Sequence, residues 1–154
     1  MDIPVLMYKL KKYPVAFLAK QVVGDLFSVG KWTPELGCVM IDRTNPRKGA
    51  EAIINVIKNV KSGISMVVFP EGTRSPKVGE LIEFKPGSFK VALKSKAPLV
   101  PITISKPKNF KSVKWPMPKR ITIVIHEPIP FEDIKGMPSM DLADKVKTII
   151  EGSL

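Results

Sequence analysis

Cysteine is nearly absent from the chain, with Cys38 as its one thiol, so no disulfide framework can form within it. Long apolar runs are missing as well, because the longest, such as residues 97–104, hold about eight residues, whereas a bilayer-spanning helix needs roughly 18. The first residues include an acid and a proline where a secretory signal has a basic stretch and an apolar core. We therefore expect neither a membrane-spanning helix nor an export signal.

Acidic residues are scarce: 14 of them stand against 25 lysines and arginines, which gives a formal net charge of +11. This balance indicates an anionic partner, which could be a phosphorylated ligand, an anionic membrane surface or nucleic acid. The acid-free run from Lys85 to Arg120 should form a positive surface. Within it, residues 106–120 alternate lysines with Phe110, Trp115 and Met117. That segment could be a solvated loop, a membrane contact or a site for single-stranded nucleic acid, of which we expect nucleic acid least.

What remains is an ordinary globular composition. The 154 residues are 44% hydrophobic and 25% charged, which excludes intrinsic disorder and suits one domain. Turn residues and apolar periodicity predict strands over residues 15–19, 38–41, 64–69, 99–104 and 121–125. Helices are expected over residues 2–12, from Pro46 to Gly63, over 87–96 and around 142–150. This alternation predicts an α/β layered domain with a mixed, largely parallel sheet flanked by helices.

Two of these helices carry specific boundary signals. Asn45 can cap the helix that begins at Pro46, and its predicted apolar face is Ala50, Ile53, Ile54, Ile57 and Val60. The closing helix would be capped by Ser139 or Asp141.

The most informative segment is Phe69–Ser75, which follows a predicted buried strand. Ligands bind at the carboxyl ends of strands in open α/β sheets, because loops converge there over a rigid scaffold. Gly72 permits a close backbone approach, and Thr73 and Ser75 offer hydroxyl groups. Arg74 presents a planar fork of donors that matches a phosphate. Taken alone, a Gly-Thr-Arg triplet is more often a surface turn with one solvated arginine than a ligand site.

A second cation, Arg43, follows the strand that ends at Ile41. If the two strands are neighbours, Arg43 and Arg74 could approach one anionic ligand. Taken alone, Asp42 and Arg43 would form a local ion pair that contributes little.

Together these segments resemble the lysophosphatidate acyltransferases of bacterial phospholipid synthesis, within the wider glycerolphosphate acyltransferases. The second block of that family ends in Ile-Asp-Arg, as do residues 41–43, and its third block matches residues 69–75 one for one. Its fourth block contains Val-Pro-Ile, as do residues 100–102. Residues 84–87 and Phe89 also look familial, and the resemblance covers nearly the whole chain.

The resemblance implies a glycerol-3-phosphate acyltransferase-like fold and a reaction. A fatty acyl group would pass from acyl carrier protein or coenzyme A to the free hydroxyl of 1-acylglycerol 3-phosphate, giving phosphatidate, with no metal or redox cofactor. Arg43 would contact the phosphate, and Lys85 is a further candidate for that contact. The glycerol-phosphate part would be bound by Glu71, Gly72, Thr73 and Arg74, and Pro101 would help to shape the acyl-donor side.

The first block of the family is Asn-His-x-Ser-x-x-Asp, in which the histidine is the general base and the aspartate orients it. Asp2 resembles the last residue of this block, so its histidine partner would lie ahead of Met1. We expect Met1 to be an internal methionine of a longer enzyme, and residues 1–154 to be a single acyltransferase domain that lacks its N-terminal portion. His126 is expected to be structural, because its neighbour Glu127 should point to the opposite face of the strand.

Two functions follow from this resemblance. The first is an acyltransferase that lies peripherally on the cytoplasmic face of the cell membrane, where lysophosphatidic acid resides. In that case the chain as given, without the histidine, should transfer little or no acyl group. The alternative is a non-catalytic phospholipid-binding or regulatory module that retains the phosphate site.

Overall fold

The structure is a computed structural model, and it describes residues 2–20, 37–42, 44–73, 75–77, 79–105 and 121–154. Residues 21–36 and the basic segment 106–120 lie outside the described residues. The chain divides into two compact units. One comprises the residues up to Phe69 together with Lys90–Ala97, and the other comprises Pro70–Phe89 and Pro98–Leu154. The expectation of a single acyltransferase domain stays a prediction.

The first unit contains a parallel sheet. Its strands are β1 (Val15–Lys20), β2 (Val39–Ile41) and β3 (Ser65–Val67), in the order β2-β1-β3. The central strand pairs Leu18 with Val39 on one side and Phe17 with Val67 on the other. Parallel neighbours place the carboxyl ends of β2 and β3 at the same edge of the sheet. Strands β2 and β3 are nevertheless not neighbours, because β1 lies between them.

Helix α1 (Asp2–Lys9) precedes β1, and helix α2 (Pro46–Lys61) joins β2 to β3. Helix α1 is shorter than the predicted 2–12, because residues 10–12 form a turn. The side chain of Asn45 accepts hydrogen bonds from the backbone nitrogens of Arg47 at 3.0 Å and Lys48 at 3.3 Å, as a capping residue should. At its other end Gly63 adopts φ +93°, and Ile64 N donates to Asn59 O at 3.0 Å. This left-handed C-terminal turn is one that glycine adopts without strain.

The core of the first unit lies between the sheet and helix α2. Leu18, Ala52, Val56 and Val91 are buried together in it. Ile53, Ile57 and Val60 pack against this cluster. Ala50 and Ile54, which the apolar pattern placed on the same face, are exposed, Ile54 by 51%. The prediction was wrong for these two because the inward direction is set by the small Ala52 and by Val56, one turn apart.

The second unit contains an antiparallel pair, β4 (Ile102–Ser105) and β5 (Thr122–Ile125), which pairs Thr103 with Val124. Its helices are α4 (Phe131–Ile134) and α5 (Ser139–Glu151), and helix α3 (Pro86–Ser95) begins in this unit. Leu142, Val146 and Ile150 of α5 are buried, as their spacing predicts. The α/β class is confirmed, and the described strands form one parallel and one antiparallel group.

Two details of the second unit differ from expectation. Helix α5 begins at Ser139 after Pro138 and has no side-chain cap, so the predicted capping by Ser139 or Asp141 is wrong. The preceding proline sets φ at −58° and starts the helix by its own backbone geometry. Helix α4 was not predicted, because four residues are too few for an apolar period to show. Across the described ranges, no helix combines the length and the apolar character needed to cross a membrane.

Candidate functional site

The motif Phe69–Ser75 begins two residues after β3 and opens a long loop that runs to helix α3. Gly72 has φ +74°, a conformation that glycine adopts readily and other residues seldom do. The Thr73 side chain is exposed. The motif therefore turns sharply and leaves Thr73 exposed, where a ligand can reach it.

The base of this loop is closed by a backbone hydrogen bond. The Lys85 nitrogen donates to the Pro70 carbonyl at 2.9 Å, which brings both ends of the loop together. Just beyond, Phe84 and Phe89 are buried and stacked, with their ring centroids 6.2 Å apart. These aromatic residues explain why the motif is followed by Phe-Lys-Pro-Gly: the phenylalanine anchors the return of the chain, and Lys85 is held exposed beside the start of the loop.

Glu71 turns inward and is bonded within the same loop. Its Oε2 accepts a hydrogen bond from the backbone nitrogen of Ile82 at 3.3 Å. Burial raises the pKa of this carboxyl group, and the bond from Ile82 opposes that rise only in part. Glu71 thus lies partly shielded from water, with a backbone donor as its described partner.

The outer part of the loop is held by local contacts. The Ser75 hydroxyl donates to Lys77 O at 2.8 Å, and Lys77 Nζ lies 3.3 Å from Glu80 Oε1. Both side chains of that ion pair are largely exposed, so it contributes little to stability. Arg74, between Thr73 and Ser75, lies outside the described residues.

The end of β2 forms a second polar corner. Asp42 Oδ1 accepts hydrogen bonds from the Thr44 nitrogen at 3.0 Å and from the Thr44 hydroxyl at 2.6 Å, and its Oδ2 lies 3.8 Å from Lys48 Nζ. The bonds from Thr44 lower the pKa of Asp42, and Lys48 lowers it further. The described partners of Asp42 are therefore Thr44 and Lys48, whereas the sequence suggested Arg43, which lies outside the described residues.

An open pocket of about 440 Å³ adjoins this corner. It is lined by Met40, Asp42, Lys48, Glu51, Ala52 and Asn55. The lining combines two carboxylates with one ammonium group, so it does not by itself favour an anion.

Comparison with known proteins assigns the family. A sequence profile described as Acyltransferase matches residues 1–105. The chain belongs to this acyltransferase family. The resemblance inferred from the motifs at residues 41–43, 69–75 and 100–102 is thereby confirmed.

Individual relatives agree with the family. The chain is 32% identical over 145 residues to a 1-acyl-sn-glycerol-3-phosphate acyltransferase of Cocos nucifera, covering 86% of this chain and 43% of that protein. It is 32% identical over 146 residues to a probable enzyme of the same name from Mycoplasma pneumoniae, covering 86% and 53%. The chain thus spans about half the length of these relatives.

A solved structure shares the fold. The crystal structure of the 1-acyl-sn-glycerophosphate acyltransferase PlsC from Thermotoga maritima superposes with a TM-score of 0.70 at 24% identity. The match covers 90% of this chain and 55% of that one. The α/β fold expected for the family is therefore present in this acyltransferase chain.

The structure brings four of the predicted site residues into one loop. Glu71, Gly72 and Thr73 lie at its start, and Lys85 lies at its closing bond. The side chain of Asp2 is outside the described part, as are Arg43 and Arg74, so their assigned roles stay predictions. Among the described residues, no cluster of three His, Cys, Asp or Glu side chains could hold a metal ion.

Pro101 is buried immediately before β4, and its carbonyl accepts a hydrogen bond from the His126 nitrogen at 3.0 Å. In this position it anchors the antiparallel pair, and its predicted contact with the acyl donor stays a prediction. The thiol-bearing residue Cys38 is partly buried.

Ile82, whose backbone nitrogen donates to Glu71, was not predicted from the sequence. Any residue except proline supplies such a donor, so the side chain of Ile82 carries no signal. The partnership of Asp42 with Thr44 had a better signal, because aspartate two residues before a donor forms a local turn.

Proposed function

We propose that this chain is the acceptor-binding part of a lysophosphatidate acyltransferase. The observation that carries the proposal is the family motif Phe69–Ser75 in the loop after β3, at the carboxyl end of a parallel strand. The acceptor would be 1-acylglycerol 3-phosphate and the product phosphatidate. Relatives named 1-acyl-sn-glycerol-3-phosphate acyltransferase, similar over 86% of the chain, support this choice.

The loop has the groups that a phosphate monoester requires. The backbone at Gly72 and the Thr73 hydroxyl offer neutral donors, and Arg74 offers a planar cationic fork. Lys85 adds an ammonium group on a flexible stem beside the base of the loop, and Arg43 would add a second fork. A dianionic headgroup is stabilised best by such a set of cations and backbone donors.

In the proposed reaction the acceptor hydroxyl attacks the carbonyl carbon of an acyl thioester. The new ester carbon–oxygen bond forms, the carbon–sulfur bond breaks, and a base passes the hydroxyl proton to the departing thiolate. The donor would be acyl carrier protein or acyl-coenzyme A, and the step itself uses no metal or redox cofactor. Asp2 would orient the base, as the family motif implies.

Binding of lysophosphatidic acid to the 154-residue chain tests the proposal without requiring turnover. We expect Arg74→Ala and Lys85→Ala each to weaken binding by about tenfold, because each removes a charge-assisted hydrogen bond. Lys77→Ala is the matched control, since Lys77 lies on the same loop and pairs with Glu80. Binding that is unchanged by Arg74→Ala, or that falls equally with Lys77→Ala, would contradict the assignment.

A second candidate function is a non-catalytic phospholipid-binding module. It is favoured by one observation: His126 Nε2 is hydrogen-bonded to the buried Thr103 hydroxyl at 2.8 Å, as a structural histidine would be. Acyl transfer measured with both thioester donors separates the two functions, because the module would bind lysophosphatidic acid and form no phosphatidate.

We further propose that the chain lies peripherally on an anionic membrane, at its cytoplasmic face. The end of α1 offers a suitable surface, which we call the α1 corner: Met7, Tyr8, Lys9, Lys11, Lys12 and Tyr13, all exposed. Tyr8 and Tyr13 are 68% and 66% exposed, and Lys11 Nζ lies 5.0 Å from the centre of the Tyr8 ring. Aromatic rings beside flexible ammonium groups suit the headgroup layer.

Vesicle co-sedimentation tests the membrane surface. We expect binding to rise with the content of anionic lipid, and the pair Lys11→Gln, Lys12→Gln to weaken it by about thirtyfold at roughly 1 kcal/mol per charge. The pair Lys58→Gln, Lys61→Gln removes equal charge from the exposed end of α2 and is the control. Equal losses from both pairs would assign the effect to net charge, and competition by oligonucleotide would favour nucleic acid.

A further inference from the structure

The loop that carries the motif is closed at two levels. At the base of the loop, the Lys85 nitrogen donates a hydrogen bond to the Pro70 carbonyl. One residue further into the loop, the Glu71 carboxylate accepts a hydrogen bond from the Ile82 nitrogen. Both hydrogen bonds join the start of the loop, at residues 70–71, to its end, at residues 82–85. The second bond differs from the first because its acceptor is a side chain, so it can be removed by substitution while the backbone is kept.

A carboxylate such as that of Glu71 is a poor direct partner for a phosphate. Two anions at close range repel, and a partly buried carboxylate is screened less by water than an exposed one. Glu71 is partly buried and already has a backbone donor in Ile82. A role in which its charge faces inward, away from the anionic ligand, agrees with both observations.

We propose that Glu71 is a positioning residue, whose carboxylate braces the returning chain at Ile82 and so holds Gly72 and Thr73 in their ligand-binding turn. The proposal rests on the proposed function for the identity of the ligand, but the brace itself does not depend on it. It replaces a direct contact between Glu71 and the glycerol-phosphate part with an indirect effect through the loop.

The positive φ of Gly72 connects the brace to the ligand site. Glu71 immediately precedes this glycine, so fixing the Glu71 side chain fixes the direction in which the chain enters the turn. A glycine that is not held on either side samples many backbone conformations. Releasing Glu71 would therefore spread the positions of the Gly72 and Thr73 donors and reduce the fraction that can bind.

Amide hydrogen exchange at Ile82 measures the brace directly. In Glu71→Ala we expect exchange at Ile82 to become about five- to tenfold faster, the equivalent of one lost hydrogen bond. Glu71→Gln keeps an acceptor oxygen at the same reach and should stay within about threefold of the parent. Unchanged exchange at Ile82 in Glu71→Ala would overturn the proposal.

The affinity for lysophosphatidic acid tests the link to binding. We expect Glu71→Ala to weaken it by about tenfold and Glu71→Gln to leave it within about threefold, because the neutral amide restores the brace. Glu80→Ala and Glu80→Gln are the controls, since Glu80 lies on the same loop and its removal changes the charge equally. If Glu71→Gln weakens binding as much as Glu71→Ala while Ile82 stays protected, the charge contacts the ligand and the positioning role is wrong.

A third variant, Glu71→Asp, keeps the negative charge, so it changes the side chain less than alanine does. Its side chain is shorter by one methylene group, so it should fail to reach Ile82, and amide hydrogen exchange at Ile82 should become faster. If the parent chain does not bind lysophosphatidic acid at all, the proposed function fails, and the exchange at Ile82 still decides whether the brace exists.

Discussion

The hydroxyl of Thr103 lies 2.8 Å from Nε2 of His126, across the antiparallel pair of β4 and β5. Thr103 is completely buried, and its hydroxyl also lies 3.4 Å from the Ile150 carbonyl of α5. One buried side chain thus ties the strand end that carries His126 to the closing helix. The expectation that His126 serves the structure agrees with this bond.

Replacing Thr103 tests that role. Thr103→Val keeps the shape but leaves the His126 ring nitrogen without its buried partner, so we expect a loss of about 1–2 kcal/mol in the free energy of unfolding. Thr103→Ser keeps the hydroxyl and should lose less, through a missing methyl group. Urea unfolding measures both, and a valine variant as stable as the serine variant would contradict the assignment.

The cap of α2 makes a second prediction. Asn45→Ala removes the acceptor of the bonds from Arg47 and Lys48, and should cost about 1 kcal/mol in the free energy of unfolding. Asn55→Ala makes the same chemical change at an exposed position inside the same helix, where alanine is the better helix former. Chemical unfolding of the two variants should therefore show changes of opposite sign.

These two sites show which parts of the structure were predictable. The limits of α2 depend on local rules, since Asn45 before a proline and Gly63 after the last turn each act on their immediate neighbours. The partners of Thr103 lie 23 and 47 residues away, and no local pattern specifies them. The exposure of Ile54 was likewise not predictable from a local pattern, because the side of a helix that faces the core depends on the neighbouring sheet.

The candidate site divides in the same way. The motif Phe69–Ser75 was found from residue types alone, because the chemical groups that define it belong to its side chains. The inward bond of Glu71 was not, because its donor is the backbone of Ile82, eleven residues further along the chain. A motif therefore identifies the residues of a site more readily than it identifies what each of them touches.

Asp42 provides a prediction about titration. Hydrogen bonds from Thr44 hold its pKa below the ordinary value in the folded chain, so Asp42 adds stability above its unfolded pKa and loses it as pH falls through the folded pKa. Thr44→Val removes the hydroxyl bond of 2.6 Å and should raise the pKa of Asp42 towards the ordinary value. Carboxyl chemical shifts followed during acid titration measure this change. An unshifted Asp42 in Thr44→Val would contradict the described pairing.

Glu71 should have the opposite dependence on pH. Burial raises its pKa in the folded chain, so any stability linked to its protonated form is complete below the unfolded pKa and is lost as pH rises through the folded pKa. Glu71→Gln does not titrate, and we therefore expect it to gain stability relative to the parent as pH rises from acid to neutral. Urea unfolding across that interval measures the difference, with Glu80→Gln as the exposed control. A difference that stays constant with pH, or that reverses, would show that the Glu71 carboxylate is no worse solvated in the folded chain than in the unfolded one. It would also argue against the inward orientation of Glu71, on which its hydrogen bond with Ile82 depends.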